Sequence, residues 1–229
     1  MTEKFLELLA QFLAVMTVLT FHEFAHAYVA NKCGDPTARL SGRMTLNPVA
    51  HVDPLGLVMF TVAGFGWAKP VPVNPYNFDN YKKGSFWTSA AGILMNYAMA
   101  FVFYPLFYLV IDYVFPMVSG KYLGIFLVFL FSSLYTCSLC FCAFNLLPLY
   151  PLDGFRIVDA LNKKQGKIYQ FLHKYGYYVL MGLFLISVAA DYIPFIRYFD
   201  LLNYILIFSM NVLGKPISLL WDWVFNLIP

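Results

Sequence analysis

Charge is what this chain has least of. Its 229 residues include 15 Lys and Arg and 12 Asp and Glu, so 12% are charged against 61% apolar. A water-soluble domain of this size cannot hide so large an apolar share, so the composition predicts an all-α polytopic membrane protein. Basic runs are missing, which excludes nucleic acid as a partner. Cysteines are few, and Cys137 and Cys140, although spaced as C-x-x-C, lie in an apolar helical stretch without a second pair. With Cys33 and Cys142 they read as small packing residues, and no disulfide is inferred. No small-residue cleavage site follows the first apolar stretch, so it reads as a retained helix rather than a removed signal. Repeats, a disordered tail and a hydrophilic module are lacking as well. The chain therefore reads as one membrane-embedded domain over 1–229, with a core of about 5–160 and additional helices over about 170–225.

Histidine is scarce too, with 4 in the chain, yet two of them fall in Phe21-His22-Glu23-Phe24-Ala25-His26. On a helix, residues four apart project from one face about one turn apart, so the two imidazoles can share one zinc ion. Glu23 sits roughly 100° round the helix from His22. It is poorly placed as a third ligand and well placed to take a proton from water held at that ion. The alternative is a buried His pair held by hydrogen bonds. A catalytic zinc needs a third protein ligand. Asp153 is the outstanding candidate, in Asn145-Leu-Leu-Pro148-Leu-Tyr-Pro151-Leu-Asp153-Gly154, where prolines break a helix and irregular backbone presents the carboxylate. Taken alone, Asp153 also reads as a helix N-cap.

Five apolar stretches long enough to span lie at about 5–29, 85–113, 122–147, 175–190 and 201–224. The last is interrupted by Gly214 and Pro216; it spans with a kink or ends as an interfacial helix. Five to six transmembrane helices are therefore expected. Between the first and second spans, 38–49 alternates in short stretches and predicts a small β-ribbon. Residues 55–67 are apolar but too short to cross and predict a re-entrant segment. His51 reads as a turn residue or surface contact. In Lys69-Pro70-Val71-Pro72-Val73-Asn74-Pro75 the prolines force an extended chain. The N–H groups of Val71 and Val73 share one edge, which either pairs with an unwound substrate or belongs to a stiff interfacial loop. In the second span Gly92 and Asn96 share a face. Gly92 permits close helix contact. Asn96 either stabilises an oxyanion or ties two helices together.

The His-Glu-x-x-His motif, the Asn-x-x-Pro-x-x-x-Leu-Asp-Gly motif of Asn145 to Gly154, and the Ala-Gly pair with downstream Asn96 together resemble the site-2 protease family of intramembrane zinc metalloproteases. The resemblance runs from His22 to about Lys174. It implies a three-helix catalytic core, one zinc held by His22, His26 and Asp153, and Glu23 as general base. Cleavage is then expected within or near transmembrane segments of membrane proteins, with Asn145 and Pro148 shaping the site. The stretch over 47–75 looks like the branch found mainly in bacteria and related organelles, and no PDZ or CBS module is visible. Phe155 stands where a second Gly is common, which is tolerable if its φ is negative.

The basic residues Lys32, Arg39, Arg43, Lys69, Lys82 and Lys83 share one face if 55–67 does not cross. By the positive-inside rule that face is expected to be the cytoplasmic face of a bacterial cell membrane, with the site near it and the N-terminus outside. The partners expected are the lipid bilayer and transmembrane substrates, with room for a homo-oligomer or a regulatory membrane protein. The rival reading is a non-proteolytic zinc-binding membrane protein or a metal transporter. The carboxylate beside the first histidine argues against it, because neither needs a base there.

Overall fold

The computed structural model describes residues 1–56, 68–117, 120–162 and 164–227. Helix α1 runs over Thr2–Lys32, α2 over Thr37–Leu40, α3 over Tyr81–Leu109, α4 over Lys121–Asn145, α5 over Asp153–Leu161, α6 over Lys167–Tyr192 and α7 over Leu201–Phe225. A π turn at Val110–Val114 carries α3 on to Met117. Five of these helices (α1, α3 with its extension, α4, α6 and α7) are long and apolar enough to cross a membrane. The protein is an integral membrane protein built from helices, as its composition requires.

The centre of the fold is α1, α3 and α4. Ala14 and Val18 of α1 pack with Met99 of α3 and Leu134 of α4. Small residues on α3 (Ala90, Ala91, Gly92 and Ala100) let it approach its neighbours closely. Each terminus has a local cause. Gly34, with φ of 104°, turns the chain after α1, and a Cβ there would also lie 2.8 Å from the Asp79 carboxylate. The Asn80 side chain accepts the Lys83 amide at 3.0 Å and caps α3. Helix α4 stops at Asn145, three residues before Pro148.

Helix α5 then starts hard against the end of α4. A Cβ on Gly154 would sit 2.5 Å from the Leu146 carbonyl oxygen and 2.6 Å from that of Leu147. This contact returns Asp153 to the bundle. Phe155 has a negative φ, since Gln165 alone among described non-glycine residues has a positive one. It is buried, stacks on Tyr169 at 5.6 Å and packs edge-on to Tyr150, which docks α6. The break after α6 is a 3₁₀ turn at Pro194–Phe199, and Asp200 caps α7 by accepting the Asn203 amide. Pro216 lies within an unbroken α7.

Helix α7 rises beside α3 in the same direction. The Trp221 indole donates to the Phe101 carbonyl at 3.0 Å, Tyr104 donates to Asp222 at 2.9 Å, and Tyr108 faces Phe225 at 5.7 Å. The last turns of α7 therefore lie toward the end of the bundle where Glu3 and Lys121 pair, away from His22 and His26. Cysteines introduced at Thr2 and Asn226, with the four native cysteines replaced by Ser, are expected to react from the same side of sealed vesicles with an impermeant maleimide. Same-side labelling requires an even number of crossings, so that one of the five long helices does not cross; labelling from opposite sides would mean that all five cross and that α7 packs the other way up.

The β-ribbon expected over 38–49 is not what forms. Thr37–Leu40 is a helical turn and Pro48–His51 a 3₁₀ turn. Among the described residues the extended pairing is limited to one isolated antiparallel bridge, Val52 with Ala68. Local side-chain bonds explain the difference: Asp35 accepts the Thr37 amide, the Ser41 hydroxyl donates to the Thr37 carbonyl, and Asn47 accepts the Val49 amide. Such bonds offer the backbone an alternative to a ladder. His51 is buried and bonds the Thr45 carbonyl at 2.9 Å, as a turn residue would. The expected re-entrant segment falls largely on 57–67, outside the described residues.

Candidate metal centre

The two histidines of α1 and the aspartate that opens α5 converge. His22 Nε2 lies 3.3 Å from Asp153 Oδ2, His26 Nε2 lies 3.0 Å from the same oxygen, and the two nitrogens are 2.9 Å apart. All three residues are buried. Among the described residues this is the one His, Cys, Asp or Glu group whose ligand atoms could hold a metal ion.

Zinc bonds of about 2.0–2.1 Å in a tetrahedral site put ligand atoms about 3.3 Å apart. The observed triangle is within a few tenths of an ångström of that on each edge. Asp153 Oδ2 is buried without a hydrogen bond, which fits an oxygen reserved for a cation. The donor set, two imidazoles and one carboxylate, is one that zinc accepts with a fourth position left open.

The far side of each ring is also held. His26 Nδ1 is 2.6 Å from the Thr88 carbonyl oxygen, so it must be the protonated nitrogen, and Nε2 keeps its lone pair. His22 Nδ1 is 3.0 Å from the Asn96 amide, and Asn96 Oδ1 is buried without a partner. Turning the amide over by 180° cures this fault: Oδ1 then accepts from Nδ1–H, and His22 Nε2 is free to bind metal. Asn96 is fully buried and is not among the residues that border the site cavity, so the structure brings it behind His22 rather than to a reacting carbonyl. Asn96→Leu is expected to weaken zinc binding about 10- to 100-fold, read by competition with a chelator. Unchanged affinity would show that His22 needs no such support.

Thr88, Gly92 and Asn96 are spaced four apart on α3, so one stripe supplies both ring supports and the gap between them. The Gly92 and Asn96 spacing was visible in the sequence. Thr88 was missed, because it acts through its carbonyl and any residue type offers one.

A cavity of about 160 Å³ opens on the triad. It is bordered by His22, Glu23, His26, Pro70, Val71, Val73, Thr88, Asn145, Pro151, Leu152, Asp153 and Arg156. Of the substrate-contact candidates, Val71, Val73 and Asn145 are on this wall. Pro148 is exposed and off it. The Asn145 amide donates to the Phe141 carbonyl at 3.0 Å. The Val71 N–H donates to Glu23 Oε2 at 2.7 Å, so it is engaged rather than free for a substrate. Arg156, one turn along α5 from Asp153, borders both this cavity and a neighbouring one of about 230 Å³.

Comparison with known proteins agrees with this chemistry. Residues 111–187 match Peptidase family M50. A protein of Bacillus subtilis (strain 168) named "Putative zinc metalloprotease YwhC" is 40% identical over 180 residues, covering 78% of this chain and 81% of that protein. The chain belongs to peptidase family M50. This is the site-2 protease family that the two motifs resemble. The M50 match takes in Asp153 but stops short of the histidine pair, so it is the fold that unites the two halves of the site. No solved structure matches the chain at a significant level.

Proposed function

We propose that this M50 metalloprotease is an intramembrane zinc endopeptidase that cuts membrane proteins within or near their transmembrane segments. His22 Nε2, His26 Nε2 and Asp153 Oδ2 hold the ion, and the triangle of these three atoms at 2.9–3.3 Å is the observation that carries the reading. When bound, zinc supplies Lewis acidity, polarising a carbonyl and acidifying water. Glu23 is the general base. Its Oε2 is held by the Val71 amide, which leaves the other oxygen to take a proton from water and return it to the leaving nitrogen. Asn96 and Thr88 orient the imidazoles. Asn145 and Val73 line the space for the substrate chain.

The position of the triad near the ends of α1 and α4 supports a site near one membrane face. The basic residues around that end, among them Lys32, Arg43, Lys69, Lys82 and Lys83, support the cytoplasmic face of a bacterial membrane. Metal transport is the rival reading, and Glu23 argues against it: a carboxylate held beside the metal group yet outside it serves proton transfer. Membrane proteomics of cells expressing the wild type or Glu23→Gln tests the proposal. Membrane proteins left uncut in the variant and trimmed in the wild type are the expected result; identical membrane proteomes would overturn it.

A further inference from the structure

The Glu23 carboxylate is held by a backbone amide in a segment far from it in sequence, and that segment is tied down at both ends. At its start, Arg43 Nη2 donates to the Lys69 carbonyl at 2.7 Å and to the Pro70 carbonyl at 3.3 Å. At its end, Asp35 accepts the Asn74 amide at 2.7 Å and the Asn77 side chain at 2.8 Å. Thr37 gives Asp35 two more donors, its amide and its hydroxyl. Asp35 is fully buried, and among the described residues no Lys or Arg pairs with it. Burial alone would raise its pKa, but the Thr37, Asn77 and Asn74 donors hold it below the usual carboxylate range. A carboxylate so placed keeps its charge only while those donors stay, so segment and aspartate hold one another.

Between the two ties the Val71 side chain packs against Ala27 and Ala38. Ala27 is on α1, one turn beyond Glu23, and Asp35 follows the end of the same helix. The prolines fix the register. Pro70 and Pro72 have no N–H, so a slip of one residue either way would present Glu23 with no donor.

Building on the proposed role of Glu23, we propose that Asp35 and Arg43 are positioning residues, which clamp the 69–77 segment so that the Val71 amide fixes the Glu23 carboxylate at the metal centre. Neither residue borders the site cavity. Their effect passes through the extended segment. A misplacement of about 1 Å in a reacting group costs up to about 100-fold in rate, so a loosened clamp should show in kcat.

The test uses full-length protein in detergent micelles, a transmembrane peptide substrate, and the variants Asp35→Ala, Arg43→Ala and Arg43→Lys. Asp35→Ala and Arg43→Ala are expected to lower kcat about 10- to 100-fold with KM unchanged. Zinc content should stay at the wild-type level, and hydrogen exchange at the Val71 amide should quicken in both. Arg43→Lys should recover part of the loss, because an ammonium can still reach one carbonyl. If Asp35→Ala does not fold, the Arg43 pair carries the test. A rise in KM with kcat unchanged would overturn the idea, since the segment would then serve the substrate and not the base. Zinc lost in step with activity would also overturn it, by reducing the clamp to structural support. Cleavage by Glu23→Gln would sink the proposed function itself; an inactive Glu23→Gln beside clamp variants with wild-type kcat and Val71 exchange would sink the clamp alone.

Discussion

Glu23→Gln is expected to lower kcat by about 10²–10⁴-fold while zinc remains bound at the wild-type level. The geometry separates the two functions. The metal triangle is made by His22, His26 and Asp153, and Glu23 is outside it. Glutamine has the size of glutamate, and its carbonyl oxygen can still accept the Val71 N–H that Glu23 Oε2 accepts at 2.7 Å. The side chain therefore stays where it is and loses only its capacity to accept a proton. Purified variant and wild type would be compared for zinc by elemental analysis and for cleavage of one transmembrane peptide. Turnover within a few-fold of wild type would remove Glu23 from proton transfer and return the centre to a structural or transport role. Zinc loss with activity loss would make Glu23 part of the ion's support.

Much of this was legible in the sequence, for reasons that can be named. The His22 and His26 spacing is a local helical fact, and helices long enough to span announce themselves by composition. Asp153 was legible because Pro148 and Pro151 mark a helix break that places a carboxylate on irregular backbone. The long-range contacts were harder to read. The Asp35 and Arg43 clamp joins residues 26 to 42 positions apart along the chain, through backbone carbonyls and amides that leave no compositional trace. The stretch over 38–49 misled because its short alternation of apolar and polar residues matched a strand. Asp35, Ser41 and Asn47 carry side chains that bond nearby backbone, and they turned it into helical turns. Val71 was read as an edge donor. In the fold that amide bonds the carboxylate of Glu23, a partner 48 positions away that the local pattern could not show.

Gly92→Ala is expected to damage the metal centre severely. A Cβ at 92 would lie 2.5 Å from His22 Cε1, 2.5 Å from His26 Nε2 and 2.7 Å from His26 Cε1. Contacts that close do not persist, so either α3 retreats or the rings turn. If α3 retreats, it takes Thr88 and Asn96 with it, and each imidazole loses the group that fixes its Nδ1. If the rings turn, their Nε2 atoms leave Asp153 Oδ2. Both routes open the triangle. Loss of one ring support costs about 10–100-fold in metal affinity, and losing both together about 10²–10⁴-fold. Gly182→Ala on α6 is the control, because a Cβ there meets nothing within 4 Å. It should bind zinc as the wild type does, and alanine is the better helix former. Competition with a chelator reads both variants without any need for substrate. Wild-type affinity in Gly92→Ala would mean that α3 does not press on the two imidazoles, and the helix packing that builds the centre would have to be redrawn.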